Sequence, residues 1–227
     1  MKLMIYILSI ITVFSISSCI EIIDDLTLNS DGTGSFKYTI NLSASKIKIN
    51  SILALDSLDG KKVPSIEEIK QKVNHFKSKF EAKTGISNLT IESNYTDYIF
   101  KIKCDFTSVS ALQDAVHQVI IEEKLDHNIK ELSENWITWD GQKLIRNIPD
   151  YTINRSKNLT ENEVEQLKQG KYTSVTRFDR PIDKFVNTNA KLAPSKLAIM
   201  LQTNTYSLLQ NINLLENTIY LSPLKKD

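Results

Sequence analysis

The order of elements along this sequence predicts an α+β fold: antiparallel sheet packed by amphipathic helices, following a cleaved N-terminal signal peptide. Three observations predict it. Apolar residues alternate with polar ones at Phe36, Tyr38, Ile40 and Leu42, the period of a half-buried strand. They recur at steps of three and four at Ile66, Ile69, Val73, Phe76 and Phe80, the period of a helix. Segments of the two kinds follow one another as strand–strand–helix–helix–strand–strand–helix, a segregated order rather than a βαβ alternation.

The first segment is not part of the fold. Lys2 precedes an apolar run from Leu3 to Ile16, followed by Ser17, Ser18 and Cys19. A charged start, a short apolar core and small residues at the end are the parts of an export signal. The run is broken by Ser9, Thr12 and Ser15 and falls short of the ~20 apolar residues that cross a bilayer. Residues 1–18 are therefore expected to be removed, leaving 19–227 as a single α+β domain with a seam, if there is one, in the polar stretch 151–162.

Residues 21–28 and 35–42 read as strands joined by a turn containing Asp31-Gly32-Thr33-Gly34. The spacing of its oxygens is that of a turn and not of a calcium loop. Residues 45–58 are expected to be a helix with Ile49, Ile52, Leu53 and Leu55 inward. Ser65 and Glu68 form a capping box after Pro64, opening the clearest helix, which Gly85 ends. Strands are expected at 89–93 and 98–106. Tyr98, Phe100, Ile102, Cys104 and Phe106 share the apolar face of the second. A helix at 110–124 places Leu112, Val116, Val119 and Ile120 inward, and 136–139 with 143–148 reads as a hairpin around Asp140-Gly141. Thr160 and Glu163 cap a short helix closed by Gly170, and the last strands are expected at 172–178, 196–202 and 217–221.

Charge and composition exclude several functions. The chain holds 28 basic and 27 acidic side chains, so it lacks the basic surface that phosphate neutralisation requires, and no nucleic-acid partner is expected. The three histidines lie on separate segments, and no metal or cofactor motif, nucleophile elbow or phosphate-cradling loop occurs. No cofactor, metal or catalytic residue is expected. Cys104 alternates onto the apolar face of its strand and is expected to be inert core. Two groups remain as ligand-binding candidates. Trp136 and Trp139, three apart on a strand, point to opposite faces, leaving one to meet sugar or lipid or both to pack inside. Arg177 and Arg180 flank Asp179, an arrangement suited to an anionic headgroup or to a local salt bridge ending a strand.

Ile16-Ser17-Ser18-Cys19 resembles the lipobox of bacterial lipoproteins, which implies that Cys19 carries diacylglycerol as the first mature residue. The cysteine, the strand after it, the turn Asp31 to Gly34, the segment 172–182 and the strand 197–201 together resemble the bacterial LppM-type lipoprotein domain. The Ile/Lys/Asn-rich composition is similar to envelope proteins of Bacteroidota, and Asp56-Ser57-Leu58 matches a short O-glycosylation pattern of that group. These resemblances imply a non-enzymatic lipoprotein of the cell envelope, at the outer membrane, binding envelope lipid or glycolipid. The alternative is a scaffolding subunit that docks another envelope protein.

Overall fold

In a computed structural model, residues 20–58, 60–122, 135–147 and 161–223 are described. Cys19 and the signal before it, His127, Thr160 and nearly all of 151–162 lie outside these residues.

The chain begins with β1 (Glu21–Leu28) and β2 (Gly34–Asn41), a 3-10 turn at Ser43–Ser45 and α1 (Lys46–Leu53). It continues through β3 (Ser57–Leu58), β4 (Lys61–Lys62), α2 (Ile66–Glu81), β5 (Ile86–Asn94), β6 (Ile99–Phe106) and α3 (Val109–Glu122). The later part comprises β7 (Ile137–Trp139), β8 (Lys143–Arg146), α4 (Glu161–Lys168), β9 (Lys171–Phe178), β10 (Ile182–Phe185), β11 (Lys191–Leu192), β12 (Ala198–Asn204), α5 (Thr205–Gln210) and β13 (Asn217–Leu221). This is the expected α+β class.

Seven strands form one sheet in the order β11-β12-β9-β1-β2-β6-β5, and four form a second in the order β10-β13-β8-β7. Every pairing in the larger sheet is antiparallel except β1 with β9, which run parallel from Glu21↔Lys171 to Leu28↔Phe178. Strands from both sides of the 151–162 stretch thus share each sheet.

The register sorts the larger sheet into two ends. Glu21 pairs with Asn41 and Lys171, Asn41 with Ile99, Ile99 with Asn94, and Lys171 with Asn204. At the other end Leu28 pairs with Gly34 and Phe178, and Gly34 and Ile86 both pair with Phe106. Gly34 has to be glycine here, because a Cβ would stand 2.0 Å from the Thr27 carbonyl oxygen and 2.6 Å from the Phe106 ring.

Even-numbered residues of β1 face inward, so Leu26 and Leu28 join Cys104, Phe106, Leu112, Leu144 and Ile219 in one core. Each such aliphatic side chain contributes roughly 1.5–3 kcal/mol when fully buried. The α2 helix begins at the expected capping box, with the Ser65 hydroxyl accepting from Glu68 N–H and the Glu68 carboxylate from Ser65 N–H. Gly85 follows it at φ +80°, a left-handed conformation that glycine adopts without strain. The 45–58 helix is a correction. It ends at Leu53, and the chain then turns into the β3–β4 hairpin, with Gly60 at φ +74°. Leu55, expected inward, is exposed, and so is Leu58.

Candidate functional site

Alternation along β1 places Asp24 among the apolar residues, where it is 2 % exposed. The register sets it beside Tyr38 on β2 and Ser174 on β9, and Arg146 reaches it from β8 of the second sheet. The guanidinium donates to both carboxylate oxygens, at 3.0 Å to Oδ1 and 2.8 Å to Oδ2. The Ser174 hydroxyl donates to Oδ1 at 2.9 Å and the Tyr172 hydroxyl to Oδ2. Burial alone would push the Asp24 carboxyl up, but the Arg146 charge and these hydrogen bonds hold it below the usual carboxylate range. Burial also raises Tyr172 far above the ordinary phenol value, and burial with the Asp24 charge pushes Tyr38 up to about 12. Acid–base work requires a group poised near the working pH. These groups are driven away from it, so the cluster is a fixed ionic staple between the sheets.

Arg146 Nε and Asn217 Nδ2 are buried with no partner among the described residues. They line a cavity of about 10 Å³ with Ser174 and Thr176, room for about one water and not for an acyl chain. Beyond it opens a wider cleft of about 430 Å³, lined by Asn147, Asn187, Asn189, Asn211, Asn213 and Asn217 among others. Some of these asparagines build its walls. The Asn187 amide donates to the carbonyls of Leu214 and Glu216 at 3.2 and 2.7 Å, and Asn217 Oδ1 accepts from Asn187 N–H at 2.9 Å. Asn147, Asn189 and Asn213 are exposed at the rim. Amides with both donors and acceptors suit a neutral, hydroxyl-rich ligand.

The residues singled out from the sequence lie elsewhere. Arg177 forms a bidentate pair with Asp25 on the outer face of the larger sheet, at 2.9 and 3.1 Å. Arg180 is buried at the end away from residue 21. There Nε donates to Ser30 Oγ at 2.7 Å, and the other nitrogens to the carbonyls of Ser222 and Gly141. It ties three turns together. Asp179 completes that knot by accepting from Ser30 N–H and Oγ–H at 2.8 and 2.7 Å. Trp136 meets the edge of His117 at 5.9 Å between centroids, and Trp139 stacks on Phe178 at 6.1 Å, both packed against the core. Cys104 is buried as expected, its thiol pushed up to about 11 by burial and then by Asp105. Arg146 and Asp24 went unmarked in the sequence. The available signal was the alternation that puts Arg146 on the face of Leu144 and Asp24 on that of Leu26.

Among the described residues no three histidine, cysteine or carboxylate side chains come together as a metal site, and no helix is long and apolar enough to cross a membrane. The class the fold defines is an α+β fold of two larger sheets, with α2 and α3 beside β5 and β6 and α5 beside β12. No known protein family matches the chain, and no curated protein does. Among solved structures, the NMR structure of the folded domain of the Mycobacterium tuberculosis LppM protein matches with a TM-score of 0.43 and 9 % identity, over 92 % of this chain and 93 % of that one.

Proposed function

We propose that this chain is a non-catalytic lipoprotein domain of a bacterial envelope, tethered by acyl groups on Cys19, and that its asparagine-rich cleft binds the sugar-bearing headgroup of an envelope glycolipid. The carrying observation is Asn217. It is 5 % exposed, it lines the cleft, and its Nδ2 has no partner among the described residues. A buried amide donor left unmade costs about 1–3 kcal/mol, which a ligand hydroxyl would offset. The cleft lies at the Asn217 end of β13, whereas Ser222, past the other end of that strand, is held by Arg180 at the end away from residue 21. A headgroup in the same leaflet is therefore within reach while its acyl chains stay in the bilayer. Arg177 and Arg180 stay outside this reading because their hydrogen-bond partners lie within the protein, and Trp136 and Trp139 because their rings pack against the core.

A scaffolding role is the second reading. Val186, 65 % exposed at the same cleft, favours it as a contact for a protein partner. Native mass spectrometry of the full acylated chain in mild detergent separates the two. A sugar-containing lipid adduct, lost in an Asn189→Ala/Asn213→Ala variant, supports the cleft. A wild-type chain that carries acyl mass but no adduct rejects the ligand and leaves the scaffold. A chain without acyl mass rejects the anchor.

A further inference from the structure

We infer that the end of the domain where β1 begins is a membrane-seating face, with Ile47, Leu55 and Leu58 entering the headgroup–acyl boundary of the bilayer. The inference rests on the acylation of Cys19 proposed above.

The first argument is the length of the tether. Cys19 directly precedes Ile20, and the Ile20 carbonyl already accepts from Lys171 N–H at 2.7 Å. One residue reaches at most about 3.6 Å. A domain joined to its acyl chains by so little backbone cannot stand off from the headgroups, so whatever surrounds Ile20 meets them.

The second argument is what the fold gathers there. The C-terminal end of β2, the N-terminal ends of β6 and β9 and the C-terminal ends of β5 and β12 are all at the residue-21 end. The α1 helix follows β2 directly and is fastened to the turn between β5 and β6. Leu42 N–H donates to the Tyr98 carbonyl at 3.0 Å, Lys46 pairs with Asp97 at 2.9 Å, and the Tyr98 hydroxyl donates to Asn50. The stretch 54–65 then leads to the start of α2, where Lys70 lies over the Tyr95 ring of the same turn at 5.6 Å. Both ends of the 46–65 stretch are thus held at this end.

The third argument is its surface. Six large hydrophobic residues are exposed among the described residues, and three belong to this stretch: Ile47 at 67 %, Leu55 at 47 % and Leu58 at 41 %. Residues 46–62 also carry four lysines against two aspartates. Apolar side chains set among lysines match an interface whose acyl boundary lies beneath anionic headgroups.

The test uses the full acylated chain in vesicles of phosphatidylethanolamine and phosphatidylglycerol containing doxyl-labelled phospholipid. A fluorophore is attached to Ile47→Cys, Leu55→Cys or Leu197→Cys. Leu197 is exposed at the opposite end, where its carbonyl accepts from Phe178 N–H at 2.8 Å, and the buried Cys104 thiol stays unlabelled. Seating predicts quenching about threefold or more stronger at 47 and 55 than at 197. Equal quenching at the three positions, with acyl mass confirmed on the same preparation, overturns the face and leaves the anchor standing. Absence of acyl mass overturns the anchor, and the face with it.

Discussion

Asp24 and Asp25 are neighbours on one strand, and each holds an arginine by two hydrogen bonds, yet their environments are opposite. Asp25 faces outward and meets Arg177, whose side chain is 50 % exposed. Asp24 faces inward and meets Arg146 with side-chain exposures of 3 and 11 %. A single step along a strand turns a residue from solvent to core, and the same two chemical groups then play different parts. The outer pair is screened by water and salt. The inner pair joins two sheets, and neither ion can lose its partner without being stranded in a low-dielectric interior.

The largest effect expected from this contrast follows Arg146→Met, which should cost about 3–5 kcal/mol of unfolding free energy in chemical denaturation. Adding Asp24→Leu to it should restore much of that loss, because no unpaired charge then remains. If the double variant is no more stable than the single one, the staple is not acting as an ion pair.

The next effect is a reversal with pH. In the wild type the folded Asp24 pKa lies below its unfolded value. Its contribution is therefore complete above the ordinary carboxylate range near pH 4 and is lost as pH falls through the lower, folded value. In Arg146→Met the buried carboxyl has lost its opposing charge, so its folded pKa should rise above the unfolded one. Stability from that group is then present in acid and disappears as pH increases through the raised value. Denaturation midpoints measured from pH 3 to pH 8 should move in opposite directions in the two proteins, and parallel profiles would refute the assignment. The smallest effect is that of Arg177→Ala. For an exposed pair it should stay within about 0–1 kcal/mol and shrink further in high salt.

Much of the fold was legible because many elements display their period over enough residues. The eight residues of β1 match the expected bounds, and the sixteen-residue α2 shows its capping box and apolar stripe. β10 and β11, with four and two residues, are too short to show any period. The six-residue α5 offered only a cap, with the Asn204 side chain accepting from Tyr206 and Ser207 N–H. The 45–58 helix was overextended because Leu55 and Leu58 continue the helical spacing, although Gly60 and Asp56 nearby are turn formers. The candidate site was hardly legible at all. Its asparagines come from three separated segments, and only the meeting of β8 and β13 brings Arg146 opposite Asn217. Asp56-Ser57-Leu58 now has a location as well. A glycan on Ser57 would stand between the seating face and the bilayer, so modification there and seating exclude each other.

The lone parallel pairing in the larger sheet bears on how the chain folds. β1 precedes every other strand among the described residues, and β2 can zip onto one of its edges at once. Its other edge waits for β9, with Asp24 and Ser174 separated by 150 positions. Until then β1 offers a row of free backbone donors and acceptors, the kind of edge that recruits strands from other molecules. Closing so distant a contact is slow, and the edge stays open until the segment carrying β9 has arrived. The acyl anchor proposed for Cys19 would oppose such aggregation by spacing nascent molecules apart, and β9 would then complete the sheet beside the bilayer.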